Sequence, residues 1–307
     1  MPSESAGLPA VQLRLDEAIE LCTAWMHGEA QANGIRLLVL KGRALSHQGL
    51  REPHASSDVD VLIEPSRFEE FLEIVKAAGW TEFVDTFPNE LFTLHSVTLR
   101  RDGWPNSIDV HSYWPGFLKP PAEVFDVLWS RRQVLAFAHR PSAVPDRMSN
   151  VLVLALHSLR GQAAQPRHDR ELEGLLELTL TEHDRDDLRA LAQSTGSVAP
   201  LRDVLPALGV PVSVTPTDLD SPEYREWHRK VAERQGRVAS WLIGLRRVSW
   251  SQKALLLRHG IWPTDRDLLI EHPEVRDRPW PKIWARVARL GRGLGQLPRV
   301  IPALRRK

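Results

Sequence analysis

The chain has 307 residues, 42% hydrophobic and 26% charged, an ordinary globular balance that excludes a disordered chain. Its 40 Lys and Arg against 39 Asp and Glu give a formal net charge of +1, so no overall field argues for a nucleic-acid or membrane partner. The single cysteine, Cys22, excludes an intramolecular disulfide and a cysteine-rich zinc site, and the polar start and short apolar runs, the longest Val151 to Leu156, predict a cytoplasmic protein with no signal peptide or transmembrane segment.

Helix and strand signals alternate through the first half. Leu15, Ala18, Ile19, Cys22, Trp25 and Met26 recur at helical spacing within residues 11–33, and Asn33-Gly34 ends the run. Residues 35–40 are a short apolar strand, 43–50 a two-turn helix, and 58–63 a strand alternating Asp and Val. Pro65-Ser66 opens a helix closed by Gly79. Strands are predicted over 80–85, 91–100 and 107–111, with Asp102-Gly103 as the turn between the last two. A short hairpin over 134–137 and 142–144 follows. Pro145-Asp146 then opens a long helical stretch carrying Val151, Leu152, Leu159, Leu172, Leu175 and Leu178, and further helical patterns cover 184–193, 222–245 and 249–259. The predicted class is α+β: a small mixed sheet flanked by helices over residues 1–140, a mainly helical domain over 141–277, and a basic tail over 278–307.

The sharpest local signal is Ser57-Asp58-Val59-Asp60-Val61-Leu62-Ile63. Side chains alternate along a strand, so Asp58 and Asp60 share one face. Two carboxylates so close repel each other, and a divalent cation relieves that repulsion. A second strand, Ile108-Asp109-Val110-His111, offers a third acid. Three carboxylates can hold two metals ~4 Å apart, which clamp the attacking and leaving oxygens of a phosphoryl transfer. Upstream, Leu40-Lys41-Gly42-Arg43 joins a buried strand to a helix: Gly42 admits a phosphate to the backbone, and Lys41 and Arg43 add positive charge. The spacing is not that of a P-loop. Taken singly, each feature also reads as an ordinary exposed strand or turn; as an ordered set they are specific.

That ordered set resembles the nucleotidyltransferase superfamily of the polymerase-beta type, and most closely the bacterial branch described as uncharacterised nucleotidyltransferases, whose first motif reads Leu-Lys-Gly. Leu40-Lys41-Gly42, Arg51, Asp58 to Ile63 and Ile108 to His111 carry the resemblance, which spans roughly residues 15–185. It implies a nucleotidyltransferase domain over 1–140 that transfers a nucleoside monophosphate from an NTP, expected to be ATP, to a hydroxyl acceptor with release of pyrophosphate. It further implies that Asp58, Asp60 and Asp109 are catalytic and bind Mg²⁺ or Mn²⁺, with Asp109 assisting the acceptor hydroxyl. Lys41, Gly42, Arg43 and Arg51 would then hold the triphosphate. Arg43 stands where better-known members carry Ser, which shifts phosphate contact to backbone amides and basic side chains. The acceptor is a small molecule, a tRNA end or a protein side chain. Two rival readings are a metal-dependent sugar-nucleotide glycosyltransferase using Asp-x-Asp, and a non-catalytic, antitoxin-like binding protein on the same fold.

Other residues read more plainly. His111 shares the face of Asp109, at the metal rim or as a hydrogen-bonding structural histidine. His157 reads as core, Asp169 as a helix cap or domain-interface residue, Cys22 as core, and most of the eleven tryptophans as core or interface anchors. Residues 278–307 hold nine Lys and Arg and no acid. Ile283, Trp284, Val287 and Leu290 predict a helix packed on the protein, ahead of a basic tail that is either solvated or a surface for an anionic partner.

Overall fold

The computed structural model describes residues 13–53, 56–83, 95–160, 166–232, 258, 262–265, 268, 278–288 and 290–291. Its sheet is built around β2 (Asp58–Ile63), flanked by β1 (Leu37–Leu40) and β5 (Ser107–His111). β1 pairs with β2 antiparallel and β5 pairs with β2 in parallel. Beyond β5 lie β4 (Ser96–Arg100) and β3 (Thr81–Glu82), both antiparallel, giving the mixed order β1-β2-β5-β4-β3.

Alternation in β2 sends Val59, Val61 and Ile63 to one face and Asp58, Asp60 and Leu62 to the other. The first face is covered by α1 (Leu15–Ala32) and α3 (Phe68–Ala77), whose Cys22, Met26, Phe71 and Val75 meet the strand valines and isoleucines. Trp80 closes this core between Trp25 and Trp104, with ring centroids 6.0 and 5.7 Å away. The second face is different: Leu38, Leu40 and Leu62 join Trp114, Phe117, Phe125 and residues 151–156 in a separate core, while the aspartates occupy the remaining positions on that face.

The second core is made by helices. α2 (Gly42–His47) follows β1, and α4 (Pro121–Ser130) follows the sheet. The hairpin of β6 (Gln133–Phe137) and β7 (Arg140–Val144) leads to α5 (Arg147–Arg160), α6 (Pro166–Leu176), α7 (Glu182–Thr195), α8 (Val204–Ala207), α9 (Pro216–Asp220) and α10 (Pro222–Ala232). Thr181 and Thr215 cap α7 and α9 by accepting from the backbone amides of Asp184 and Asp218, whose carboxylates reciprocate. Among the described residues no helix is long and apolar enough to cross a membrane.

The expected elements form with shifted ends. Pro65–Arg67 is a 3₁₀ turn ahead of α3, and Gly49, at φ 67°, stops the helix after β1 three residues before Leu50's expected end has been reached by α2. β3 and β4 are shorter than 80–85 and 91–100, and residues 84–85 and 91–94 of those expectations lie outside the described residues. So do 233–245, all of 249–259 except 258, and the basic tail over 292–307. α4 was not expected, although Pro121 at its first turn and Val124, Phe125 and Leu128 on its buried face are helix signals.

The expectation for the C-terminal helix is corrected. Residues 279–288 are helical, but Ile283, Trp284 and Val287 are exposed at 38, 69 and 50%. Arg286 is buried instead, donating to the Pro263 carbonyl at 3.0 Å and pairing with Asp265. A charged fork with good partners has outcompeted the apolar stripe for the inward position.

Gly116 fixes the approach of α5 and α10 to the chain leaving the sheet. Its φ is 102°, and an added Cβ would press on Leu156 and lie 2.8 Å from Trp227 Cζ3. Gly116→Ala should therefore cost ~2–4 kcal/mol, combining backbone strain with overpacking. Urea unfolding checks this; a loss below ~1 kcal/mol would mean that the two side chains yield freely.

Candidate active site

Strand register brings the site together. In the antiparallel pair Leu40 lies opposite Asp60, so Lys41, the next residue, leaves the sheet directly beside that carboxylate. Lys41 has φ 52° and ψ −131°, a conformation costing ~1–3 kcal/mol for a residue with a side chain. What it gains is contact: Nζ lies 2.7 Å from Asp60 Oδ2 and 5.3 Å from the centroid of Trp114. Gly42 follows at φ 49°, and a Cβ there would meet nothing within 4 Å, so this face of the turn is open to a ligand.

In the parallel pair Asp60 and Asp109 are register partners, and Asp58 lies two residues before Asp60 on the same face. One oxygen from each of the three carboxylates falls within 4.8 Å of the others. Each has its own partner. Ser56 Oγ donates to Asp58 Oδ1 at 2.8 Å, His111 Nε2 to Asp60 Oδ1 at 3.0 Å, and Thr98 Oγ1 to Asp109 Oδ1 at 2.6 Å.

These partners divide the charge unequally. Burial alone would raise the Asp60 pKa, but the Lys41 ammonium and the His111 hydrogen bond hold it far below the ordinary value. Asp109 goes the other way: burial, then the negative charge of Asp60, raise its pKa against the hydrogen bond from Thr98. Three converging carboxylates, one of them held reluctant to ionise by the others, fit a divalent cation, which would supply the missing positive charge.

The structure brings Lys41, Gly42, Asp58, Asp60 and Asp109 into one place. Arg51 stands behind the turn, its Nη2 donating to the Gly42 carbonyl at 3.0 Å and its Nη1 pairing with Glu171 Oε1 at 3.2 Å. It ties α6 to the Lys41-Gly42 turn. Arg43 faces elsewhere, pairing with Glu20 of α1 at 2.8 Å and donating to the Ala136 carbonyl at 3.2 Å. Glu20 also accepts from the Ala138 amide, which holds the β6–β7 turn in its left-handed conformation.

Sequence reasoning passed over several neighbours of this site. Thr98 sits opposite Asp109 in the β4–β5 register, a position that no local motif marks. Glu171 lies 120 residues from Arg51 in the chain, so nothing local announced the pair. His157 was expected in the core; it is half-buried, its ring centroid 4.8 Å from that of His168 and 6.1 Å from that of Trp114. Donor atoms of His157, His168 and Glu171 also lie within 4.8 Å of one another, but Glu171 Oε1 already takes both Arg51 and Arg167, which neutralises that group as a cation holder. Burial would raise the Glu171 pKa; the His168 ring, whose Nδ1 lies 3.6 Å from Oε2, and the charge of Arg167 bring it down to about 2.

The model of a family described as uncharacterised nucleotidyltransferases matches residues 19–206. No curated protein matches the chain. Among solved structures, an antigenic nucleotidyltransferase-like protein from Paracoccidioides brasiliensis is similar at 16% identity and a TM-score of 0.38, covering 64% of this chain and 95% of that one. The lincosamide antibiotic adenylyltransferase LnuA with lincomycin bound is similar at 10% identity and a TM-score of 0.35, covering 52% and 96%. The antibiotic-resistance factor ANT(2'')-Ia is similar at 13% identity and a TM-score of 0.40, covering 61% and 96%.

The unequal charging of the carboxylates predicts opposite effects on stability. Asp109→Asn removes a repelled charge and should raise the melting temperature of the metal-free protein at neutral pH by about 2–4 °C, the shift for ~1 kcal/mol. Because the folded-state pKa of Asp109 is raised, its penalty is absent below the unfolded value near 3.8 and grows as pH rises through the folded value. The gain from Asp109→Asn should accordingly vanish in acid. Asp60→Asn strands Lys41 and should lower the melting temperature at neutral pH. Stabilisation from Asp60 and Glu171 is present above their ordinary values of 3.8 and 4.5 and is lost as pH falls toward 2. Melting curves across pH test both; shifts of the same sign in the two variants at neutral pH would refute the charge assignment.

Proposed function

The chain belongs to the uncharacterised nucleotidyltransferase family, and on that premise we propose that it transfers a nucleoside monophosphate from an NTP, with ATP as donor, to a hydroxyl acceptor. The observation that carries this reading is the convergence of Asp58, Asp60 and Asp109 beside the open Lys41-Gly42 turn. Mg²⁺ or Mn²⁺ would be held by these three carboxylates and would supply positive charge to the attacking and leaving oxygens.

The residues of the chain have separate tasks. Gly42, with no Cβ in its path, lets phosphate oxygens approach the backbone at the turn. Lys41 is the charge that changes partner, from the Asp60 carboxylate to a phosphate oxygen. Arg51 holds the Gly42 carbonyl and keeps the turn in place. Asp109 takes the proton of the acceptor hydroxyl, and Thr98 fixes its orientation. The acceptor oxygen then bonds to the α-phosphorus, the bond from that phosphorus to the bridging oxygen breaks, and pyrophosphate leaves with the electron pair. Catalysis on this reading is positioning and charge neutralisation.

Incubation of the protein with each labelled NTP, Mg²⁺ and lysate fractions of protein, RNA and small molecules tests the reading. Label should pass to one fraction with stoichiometric pyrophosphate, and Asp58→Asn, Asp60→Asn and Asp109→Asn should each reduce transfer by at least ~100-fold, as for loss of a group that stabilises the transition state. Asp109→Asn should retain NTP binding. Lys41→Ala should weaken NTP binding by an amount that shrinks as salt rises. Near-normal transfer in either Asp58→Asn or Asp60→Asn would refute the site.

A further inference from the structure

Arg160, the last residue of α5, is out of step with the other arginines that pack inward. Arg36, Arg51, Arg131 and Arg286 each pair with at least one carboxylate. Arg160 pairs with none among the described residues. Its Nη1 lies 3.4 Å from His95 Nε2, and its buried Nε has no hydrogen-bond partner. Burial lowers its pKa to about 10 even though Asp60 and Tyr113 are near enough to oppose the shift. The fold thus gives this half-buried guanidinium a ring nitrogen and a ring face but no carboxylate in ion-pair contact among the described residues, which leaves it short of an anionic partner.

The position of that charge suggests its use. Arg160 lies over Trp114, with the guanidinium carbon 4.9 Å from the ring centroid, and Lys41 Nζ lies 5.3 Å from the same centroid. Trp114 is fixed between strand and helix by donation from Nε1 to the Val153 carbonyl at 3.2 Å, and by the edge of His111, whose centroid is 4.9 Å away. The tryptophan is thus a plate carrying two cations, one from the turn after β1 and one from the end of α5. His157 stands beside them, and burial together with the Lys41 and Arg160 charges pushes its pKa well below the ordinary value, as expected in a positive field. Once Lys41 exchanges Asp60 for phosphate, neither cation on the plate has a carboxylate partner.

We infer that Arg160 is a binding residue for the β- and γ-phosphates of the NTP and for the pyrophosphate that leaves, acting with Lys41 across Trp114. The inference rests on the nucleotidyl-transfer reading of this site and names a residue outside the motifs that support it. The guanidinium fork suits two phosphate oxygens, and it gains anionic partners only when the polyphosphate is present. It acts on the leaving group: as the bond between the α-phosphorus and the bridging oxygen breaks, the electron pair goes to pyrophosphate, and the added negative charge falls beside Arg160.

Calorimetric titration of the full-length protein with inorganic pyrophosphate and with each nucleoside monophosphate, in Mg²⁺, tests this in wild type, Arg160→Lys and Arg160→Met. Arg160→Met should weaken pyrophosphate binding by ~10–100-fold, the range for losing charged hydrogen bonds. Arg160→Lys should fall between, because an ammonium keeps the charge but not the fork. Monophosphate affinity should not change. The melting temperature of Arg160→Met should be equal to or above that of wild type, since a half-buried charge with no carboxylate in contact has been removed. Unchanged pyrophosphate affinity in Arg160→Met would overturn the inference while leaving the reaction intact, as would parallel loss of both ligands with a fall in melting temperature, which would mark Arg160 as structural. Wild-type protein that binds neither pyrophosphate nor any nucleoside monophosphate would overturn the nucleotidyl-transfer reading as well.

Discussion

A buried carboxylate must find a positive partner, and the arrangement around Asp60 follows from that need. Asp60 is 4% exposed on the central strand of the sheet. Lys41 answers it, but only because Leu40 is its register partner and because Lys41 accepts a left-handed backbone conformation to turn the ammonium inward. Arg51 then holds the carbonyl of the next residue, and Glu171 holds Arg51, so one ion pair at the sheet is braced by a second at α6. A sheet face that carried only leucines would need none of these contacts and would pack more cheaply. The strain at Lys41 and the desolvation of both pairs are costs that the two hydrophobic cores must offset.

The two faces of the sheet separate stability from chemistry. α1 and α3 cover one face with a mainly apolar core, and Cys22 is buried there with its thiol pKa pushed up to about 12 by burial. The other face is apolar toward Leu38, Leu40 and Leu62 and acidic at Asp58, Asp60 and Asp109. Alternation with a period of two allows one strand to do both. Asp60 and Asp109 differ in charge behaviour although they are neighbours, because Lys41 and His111 reach the first and Thr98 the second. Such a division sets a readily ionised carboxylate beside one that is reluctant to ionise.

Much of this was legible in the sequence, and the limits have physical causes. Asp58 to Ile63 and Ser107 to His111 stand at the expected strand bounds, because alternation of acid and valine admits only one register on a half-buried face. The Leu-Lys-Gly turn and the three acids were readable because strand periodicity and chain order were enough. The directions of Arg43 and Arg51 were not: a long side chain reaches several ångströms, and Glu20 and Glu171, which decide those directions, are distant in sequence. His157 was read as core for the same reason, since its neighbours Lys41 and His168 come from other elements. At the C-terminal helix the apolar stripe was legible, but Asp265 and the Pro263 carbonyl, which bury Arg286 in its place, lie about twenty residues upstream.

The proposed reading requires Lys41 to exchange Asp60 for a phosphate oxygen, and a crystal structure with Mg²⁺ and a non-hydrolysable NTP tests this directly. Lys41 Nζ should lie within hydrogen-bond distance of a phosphate oxygen and away from Asp60, with the metal bound by Asp58, Asp60 and Asp109. A nucleotide bound elsewhere, with Lys41 still 2.7 Å from Asp60 Oδ2, would be incompatible with a transfer centre at these residues.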